Sequence, residues 1–149
     1  MADLRGTIEA GEIALSAATA KTIVQLVAAS NHRVKVTRWG VFFDGTDVTE
    51  EPVQVEIVRQ STAGTSSANT PKKLDDSLAE SLQTTARENC TAEPTTGDIL
   101  YRYNIHPQQG YETVYPFGQE IKVGGGGRLG IRCTAPAAVN VNTFIEFEE

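Results

Sequence analysis

The chain is short of the side chains that most often carry chemistry, with two cysteines, one tryptophan, one methionine and two histidines among 149 residues. His32 and His106 lie far apart, and neither has a Cys, His, Asp or Glu at a recognised ligand spacing, so a zinc site has no starting constellation. No Gly-x-Ser-x-Gly elbow, Walker loop or Cys-x-x-Cys pair occurs. Nucleophilic, phosphoryl-transfer and dithiol chemistry therefore lack their usual geometry. The expectation is a protein that is not an enzyme and needs no cofactor or metal.

Positive charge is also in deficit. Lys and Arg number 13 against 19 Asp and Glu, for a formal net charge of −6. A nucleic-acid footprint needs a basic face to displace phosphate counterions, so no nucleic-acid partner is expected. No run of 18 apolar residues occurs and Met1 to Gly6 has no basic-flanked apolar leader, so neither a membrane span nor classical secretion is expected. In a reducing cytosol Cys90 and Cys133 are expected as free thiols, and the Asn89-Cys90-Thr91 glycosylation match carries no weight. A chain of this length fits one domain that buries roughly two thirds of its unfolded surface.

What the chain does have is period-2 alternation. Val53, Val55 and Ile57 alternate with polar partners; so do Ile99, Tyr101, Tyr103 and Ile105, then Leu129, Ile131 and Cys133, then Val139, Val141, Thr143, Ile145 and Phe147. Weaker runs cover 12–15, 20–29, 111–115 and 120–123. Between Arg33 and Phe43 the apolar parity switches, from Val34 and Val36 to Trp39, Val41 and Phe43. A bulge near Thr37 to Gly40 accounts for this, and so does a strand covered on both faces by a neighbouring subunit. The count is about eight or nine short strands, the spacing of an all-β sandwich or barrel, with a single jelly roll as the natural candidate over residues 13–149.

Two stretches depart from this pattern. Residues 1–12 hold only Leu4 and Ile8 as strong apolar anchors and read as an N-terminal arm. Ser61 to Gly97 reads as a long inserted loop, with Leu74, Leu78 and Leu82 at the spacing of one short helix across Lys72 to Thr85. Gly124 to Gly127 predicts a hairpin connection rather than a phosphate cradle, because the following run reads as strand and not as helix. Asp44, Asp47, Glu50 and Glu51 do not match the twelve-residue calcium loop and read as a solvated acidic turn. Tyr101, Tyr103, Tyr111, Tyr115 and Phe117 are candidates for a sugar-stacking platform, although their parity favours core or interface packing.

The order of features resembles a known family. Lys21-Thr22-Ile23-Val24-Gln25-Leu26, the Phe43-Asp44-Gly45 turn, Pro52-Val53-Gln54-Val55, Arg59 before a Thr-Ala-Gly-Thr loop, Thr70-Pro71, Thr91-Ala92-Glu93-Pro94-Thr95, Pro107-Gln108-Gln109-Gly110, Leu129-Gly130-Ile131 and a closing Phe-Glu-Glu are similar to jelly-roll capsid decoration, or cement, proteins of tailed bacteriophages. The resemblance covers most of residues 20 to 149. It implies a homotrimer on the outer capsid surface of the virion, made in the host bacterial cytoplasm, that clamps neighbouring major capsid proteins. It makes Leu4, Arg5 and Ile8 of the arm candidates for capsid contact. Trp39, Arg59, Lys72, Lys73, Leu74, Leu78, Leu82 and Arg87 become candidates for the subunit interface. The competing expectation is a carbohydrate-binding jelly-roll module or virion adhesin, with a glycan as partner.

Overall fold

The computed structural model describes residues 4–149. Among them twelve strands form: β1 (Arg5–Leu15), β2 (Ala20–Val27), β3 (Val34–Phe43), β4 (Val53–Gln60), β5 (Thr65–Asn69), β6 (Lys72–Lys73), β7 (Thr85–Ala92), β8 (Thr96–Ile105), β9 (Gly110–Val114), β10 (Ile121–Val123), β11 (Arg128–Thr134) and β12 (Val139–Glu148). They make two antiparallel six-stranded sheets. One runs β10-β3-β12-β1-β6, with β9 also paired to β3; the other runs β5-β7-β2-β11-β4-β8. The protein is all-β, a β-sandwich.

The core follows from the alternation. Val53, Val55 and Ile57 of β4, Leu129, Ile131 and Cys133 of β11, and Val141, Ile145 and Phe147 of β12 are all buried in one cluster with Ile8, Ile13 and Leu15 of β1. Each fully buried aliphatic side chain contributes about 1.5–3 kcal/mol. In β3 the parity switch is a bulge: Arg38 sits opposite Glu146 and Val36 opposite Phe147, leaving Thr37 as the extra residue. Val34 and Val36 before it, and Trp39, Val41 and Phe43 after it, thus all face one core. The pattern needs no second subunit to explain it.

Four expectations are corrected. The segment expected as an arm is, from Arg5 onward, a strand inside the first sheet, paired with β12 along almost its whole length; residues 1–3 of that segment lie outside the described residues. Its pattern was hard to see because small residues fill inward positions at Gly6 and Ala10, and a register shift between Ala10 and Ile13 breaks the alternation. The inserted loop 61–97 holds β5, β6, β7 and the start of β8, which raises the strand count above the expected eight or nine. No helix forms across Lys72 to Thr85: the leucine spacing is not accompanied by helical backbone, and Asp75 instead accepts hydrogen bonds from Ser77 N (3.0 Å) and Oγ (2.6 Å) in a tight turn. Finally, Gly124 to Gly127 is no hairpin, because β10 and β11 belong to different sheets; the turn closes with Gly127 N donating to Gly124 O (2.8 Å) and leans on Ala28 and Ala29 through Gly126 N. Cys90 and Cys133 are free thiols, both buried.

The insertion has a definite structural role. β5 and β7 extend the second sheet beside β2, while β6 extends the first sheet beside β1. One stretch of chain therefore spans both layers and seals the flank between β1 and β2. Asn69 pins it, donating through Nδ2 to Glu9 O and to the Glu88 carboxylate, each at 2.7 Å. Leu82 packs over Gly6 against Phe147, where an added Cβ would lie 2.9 Å from Leu82 Cδ1 and 2.6 Å from the Phe147 ring. The Glu149 carboxylate accepts from Gln83 N (2.7 Å), Thr84 N (2.9 Å) and Thr84 Oγ1.

Candidate functional site

The opposite flank is left open. There β8 is the edge of one sheet, and β9 and β10 form the edge of the other. Tyr101, Tyr103 and Ile105 pair with Ile57, Val55 and Val53 and so share their inward face. Across the gap Tyr111 and Thr113 pair with Val41 and Trp39 and point inward as well. The register of two edge strands thus brings tyrosines from both sheets into one seam.

The rings touch. Tyr103 and Tyr111 have centroids 5.0 Å apart, and Trp39 lies 5.4 Å from Tyr103 and 5.7 Å from Tyr111. Tyr101 extends the row, 6.2 Å from Tyr103 and 6.4 Å from Tyr115. Such offset pairs contribute about 0.5–1.5 kcal/mol each beyond their burial. Trp39, at the base, is buried and donates its indole N–H to the Tyr115 hydroxyl at 2.9 Å. Burial pushes the Tyr115 hydroxyl up to about 12, against a smaller opposing effect of that bond. Burial also raises Tyr103, with the neighbouring Tyr111 and Tyr101 adding to it.

At the mouth the seam is open to solvent, with Tyr101 44 % and Tyr111 37 % exposed, and Val114 65 % exposed just beyond. The chain then makes a tight turn in which Gln119 N donates to Pro116 O at 2.9 Å and Gly118 takes φ +87°. A positive φ at the third position is the mark of a type II turn and favours glycine there. The second position carries Phe117, which is 96 % exposed. Beside it lies a groove of about 310 Å³ lined by Arg59, Leu100, Tyr101, Gln119, Glu120, Ile121 and Lys122. Arg59 donates to Lys122 O at 3.2 Å and ties the two sheets together at the groove wall. The flank offers aromatic faces, hydroxyls and a mixed pair of charges, which are means of binding.

Of the residues singled out from the sequence, Arg59 lies at this flank, Trp39 lies at its base, and the candidate stacking residues Tyr101, Tyr103, Tyr111 and Tyr115 come together on it, with Phe117 at its turn. Leu4 and Ile8 are buried in the protein's own core, so neither is an anchor left over for a capsid; Arg5 is exposed. Trp39 is likewise core and is corrected as an interface residue. In the insertion, Arg87 donates to Ser66 Oγ at 2.9 Å and to Ser66 O, and Lys73 to the carbonyls of Leu78 (2.5 Å) and Glu80 (3.2 Å). Leu82 is packed inward and Leu78 is half-buried, which leaves Lys72 and Leu74 as the exposed members of that set. Val114 was missed, and Phe117 was read only as a candidate stacking face; its exposure at a turn has its own signal in Pro116-Phe117-Gly118, a large apolar side chain between two turn formers.

Elsewhere, the acidic turn is satisfied locally. Asp47 accepts from Thr49 N (2.9 Å) and Oγ1 (2.8 Å), and Asp44 from Asn140 Nδ2 and N (both 2.9 Å). Those bonds hold both carboxyls below the usual carboxylate range. Among the described residues no group of three or more His, Cys, Asp or Glu is placed to hold a metal ion, and no helix is long and apolar enough to cross a membrane. No family model, curated protein or solved structure matches the chain.

Proposed function

We propose that this protein is a jelly-roll capsid decoration protein that binds the outer surface of a phage head as a homotrimer and stabilises it by clamping neighbouring major capsid proteins. The observation that carries the reading is the asymmetry of the sandwich. One flank is covered by the protein's own insertion, which leaves Leu74 exposed, while the other presents Tyr101, Tyr111, Val114 and Phe117 together to solvent. An exposed apolar row at one place on a β-sandwich is a contact surface. The strand order supports the jelly-roll part, because each of the steps β1 to β2, β2 to β3, β3 to β4, β8 to β9, β10 to β11 and β11 to β12 crosses from one sheet to the other. The sequence resemblance supplies the capsid.

With Leu4 and Ile8 committed to the core, the capsid contact in this reading moves from an arm to the folded surface. The test is to mix purified protein with undecorated, expanded capsids and to follow co-sedimentation and cryo-imaging. Density at defined lattice positions is expected, and absence of binding at saturating protein overturns the reading.

One observation favours a second reading, a glycan-binding module. Tyr101 and Tyr111 expose ring area beside a groove with polar walls, a combination that suits a sugar ring. A glycan array separates the two, since selective binding to one glycan class, lost in Tyr101→Ala, favours the module.

A further inference from the structure

Phe117 is a large apolar side chain held out at the tip of a short, closed turn. A flexible loop would lose conformational freedom on docking such a residue, but this turn is already fixed by the Gln119–Pro116 hydrogen bond and by Gly118. A preorganised aromatic of this kind costs little to immobilise and is the usual anchor of a protein interface. The adjoining groove begins two residues further along, at Gln119, and is floored by Leu100, Tyr101 and Ile121. Phe117 does not fill it, since its own side chain is almost wholly in solvent. A knob and an empty groove therefore share one patch of the same surface.

We propose that Phe117 of one copy seats in the groove beside Tyr101 of the next copy, which makes the open flank a self-association surface. This rests on the homotrimer reading and names its contact. Charge selects a second copy as the occupant. Two molecules of net charge −6 repel over most of their surfaces, but residues 113–119 carry no charge, and the charged groove residues are Arg59 and Lys122 against Glu120. An acidic chain meets its own copy with least repulsion at this patch. The contact is heterologous, knob to groove, and such contacts close into a ring when the rotation between copies divides a full turn. Knob and groove lying side by side place both close to the axis of that ring.

The test is sedimentation of the full chain at micromolar concentration, as wild type and as Phe117→Asp, Phe117→Leu and Tyr101→Ala. Phe117 makes no core contact, so melting temperature and far-ultraviolet circular dichroism report that each variant is folded. The expected result is a wild-type trimer, association weakened at least about tenfold by Phe117→Asp and by Tyr101→Ala, and association largely kept by Phe117→Leu. A second arm mixes a Phe117→Cys chain with a Leu100→Cys chain under oxidant. Disulfide-linked pairs are expected in the mixture, at a yield far above that of either chain alone.

A trimer undisturbed by Phe117→Asp overturns the proposed contact and leaves the trimer standing. A wild type that stays monomeric overturns both, and capsid co-sedimentation then decides separately whether the decoration reading survives. Glycan binding by a monomer, lost on Tyr101→Ala, assigns the groove to a sugar and overturns the proposal.

Discussion

The indole N–H of Trp39 on β3 donates to the hydroxyl of Tyr115, just past β9, across 2.9 Å. The bond satisfies the one polar atom of a buried side chain and fixes the chain where it leaves the sheet. Tyr115 N also donates to Thr37 O, the bulge residue, at 2.9 Å. The bulge that turns Trp39 inward therefore also receives the strand that carries the exposed flank.

Removing the hydroxyl alone leaves the indole N–H buried and unpaired. Tyr115→Phe is expected to lower unfolding free energy by about 1–3 kcal/mol, as measured by urea denaturation with Trp39 fluorescence as the probe. Equal stability of the two proteins would show that solvent satisfies Trp39 in the variant.

The same hydroxyl makes a prediction in pH. Its folded value of about 12 lies above the ordinary 10.0, so the folded state binds its proton more tightly than the unfolded state does. The stability this contributes is complete below about pH 10 and is lost as pH rises through about 12. Ultraviolet difference titration of the folded protein should show a late tyrosine step that is absent from Tyr115→Phe, and the variant should lose less stability over that alkaline window.

Gly64 opens the insertion at φ +59°, with Ala92 O and Pro94 N against the position a Cβ would take. Both the left-handed backbone and the close carbonyl exclude other residues. Gly64→Ala is expected to cost about 1–2 kcal/mol from the backbone alone, read from thermal unfolding, with the added crowding increasing the loss.

Glu149 holds residues 83 and 84 to the first sheet by its carboxylate. Glu149→Ala should loosen the segment between β6 and β7 while costing about 1 kcal/mol of global stability. Faster tryptic cleavage after Lys72 or Lys73, with a melting temperature lowered by only a few degrees, is the expected signature. An unchanged cleavage rate would mean that Leu82 and Asn69 suffice to hold the segment.

The regular strands were legible because one face is buried: in β4, β11 and β12 every inward position is apolar or a small polar residue, and the alternation follows. The bulge at Thr37 was legible for the same reason, since a change of parity within one strand admits few explanations. β5, β6 and β7 were not legible. Residues such as Thr65-Ser66-Ser67-Ala68-Asn69 bury little, and they form a strand because β7 offers a free backbone edge, a property of the partner that no local pattern records. The leucines at 74, 78 and 82 misled because they share a spacing but not a face: Leu82 packs inward while Leu74 stands in solvent. The tyrosines were visible in the sequence, but their meeting depends on two edges of different sheets lying side by side, and only the tertiary fold sets that.

The sealed flank has a consequence for the molecule's behaviour in a crowd. An exposed sheet edge invites further strands without limit, which is how β-proteins come to aggregate. The insertion leaves only short strands at those ends, β6 of two residues beside β1 and β5 of five residues beyond β7, and short edges are poor templates for further pairing. The larger exposed apolar group lies on the opposite side, where the Phe117 knob and the groove beside Tyr101 are neighbours. If copies associate in the proposed knob-to-groove manner, the assembly is a closed ring and therefore finite.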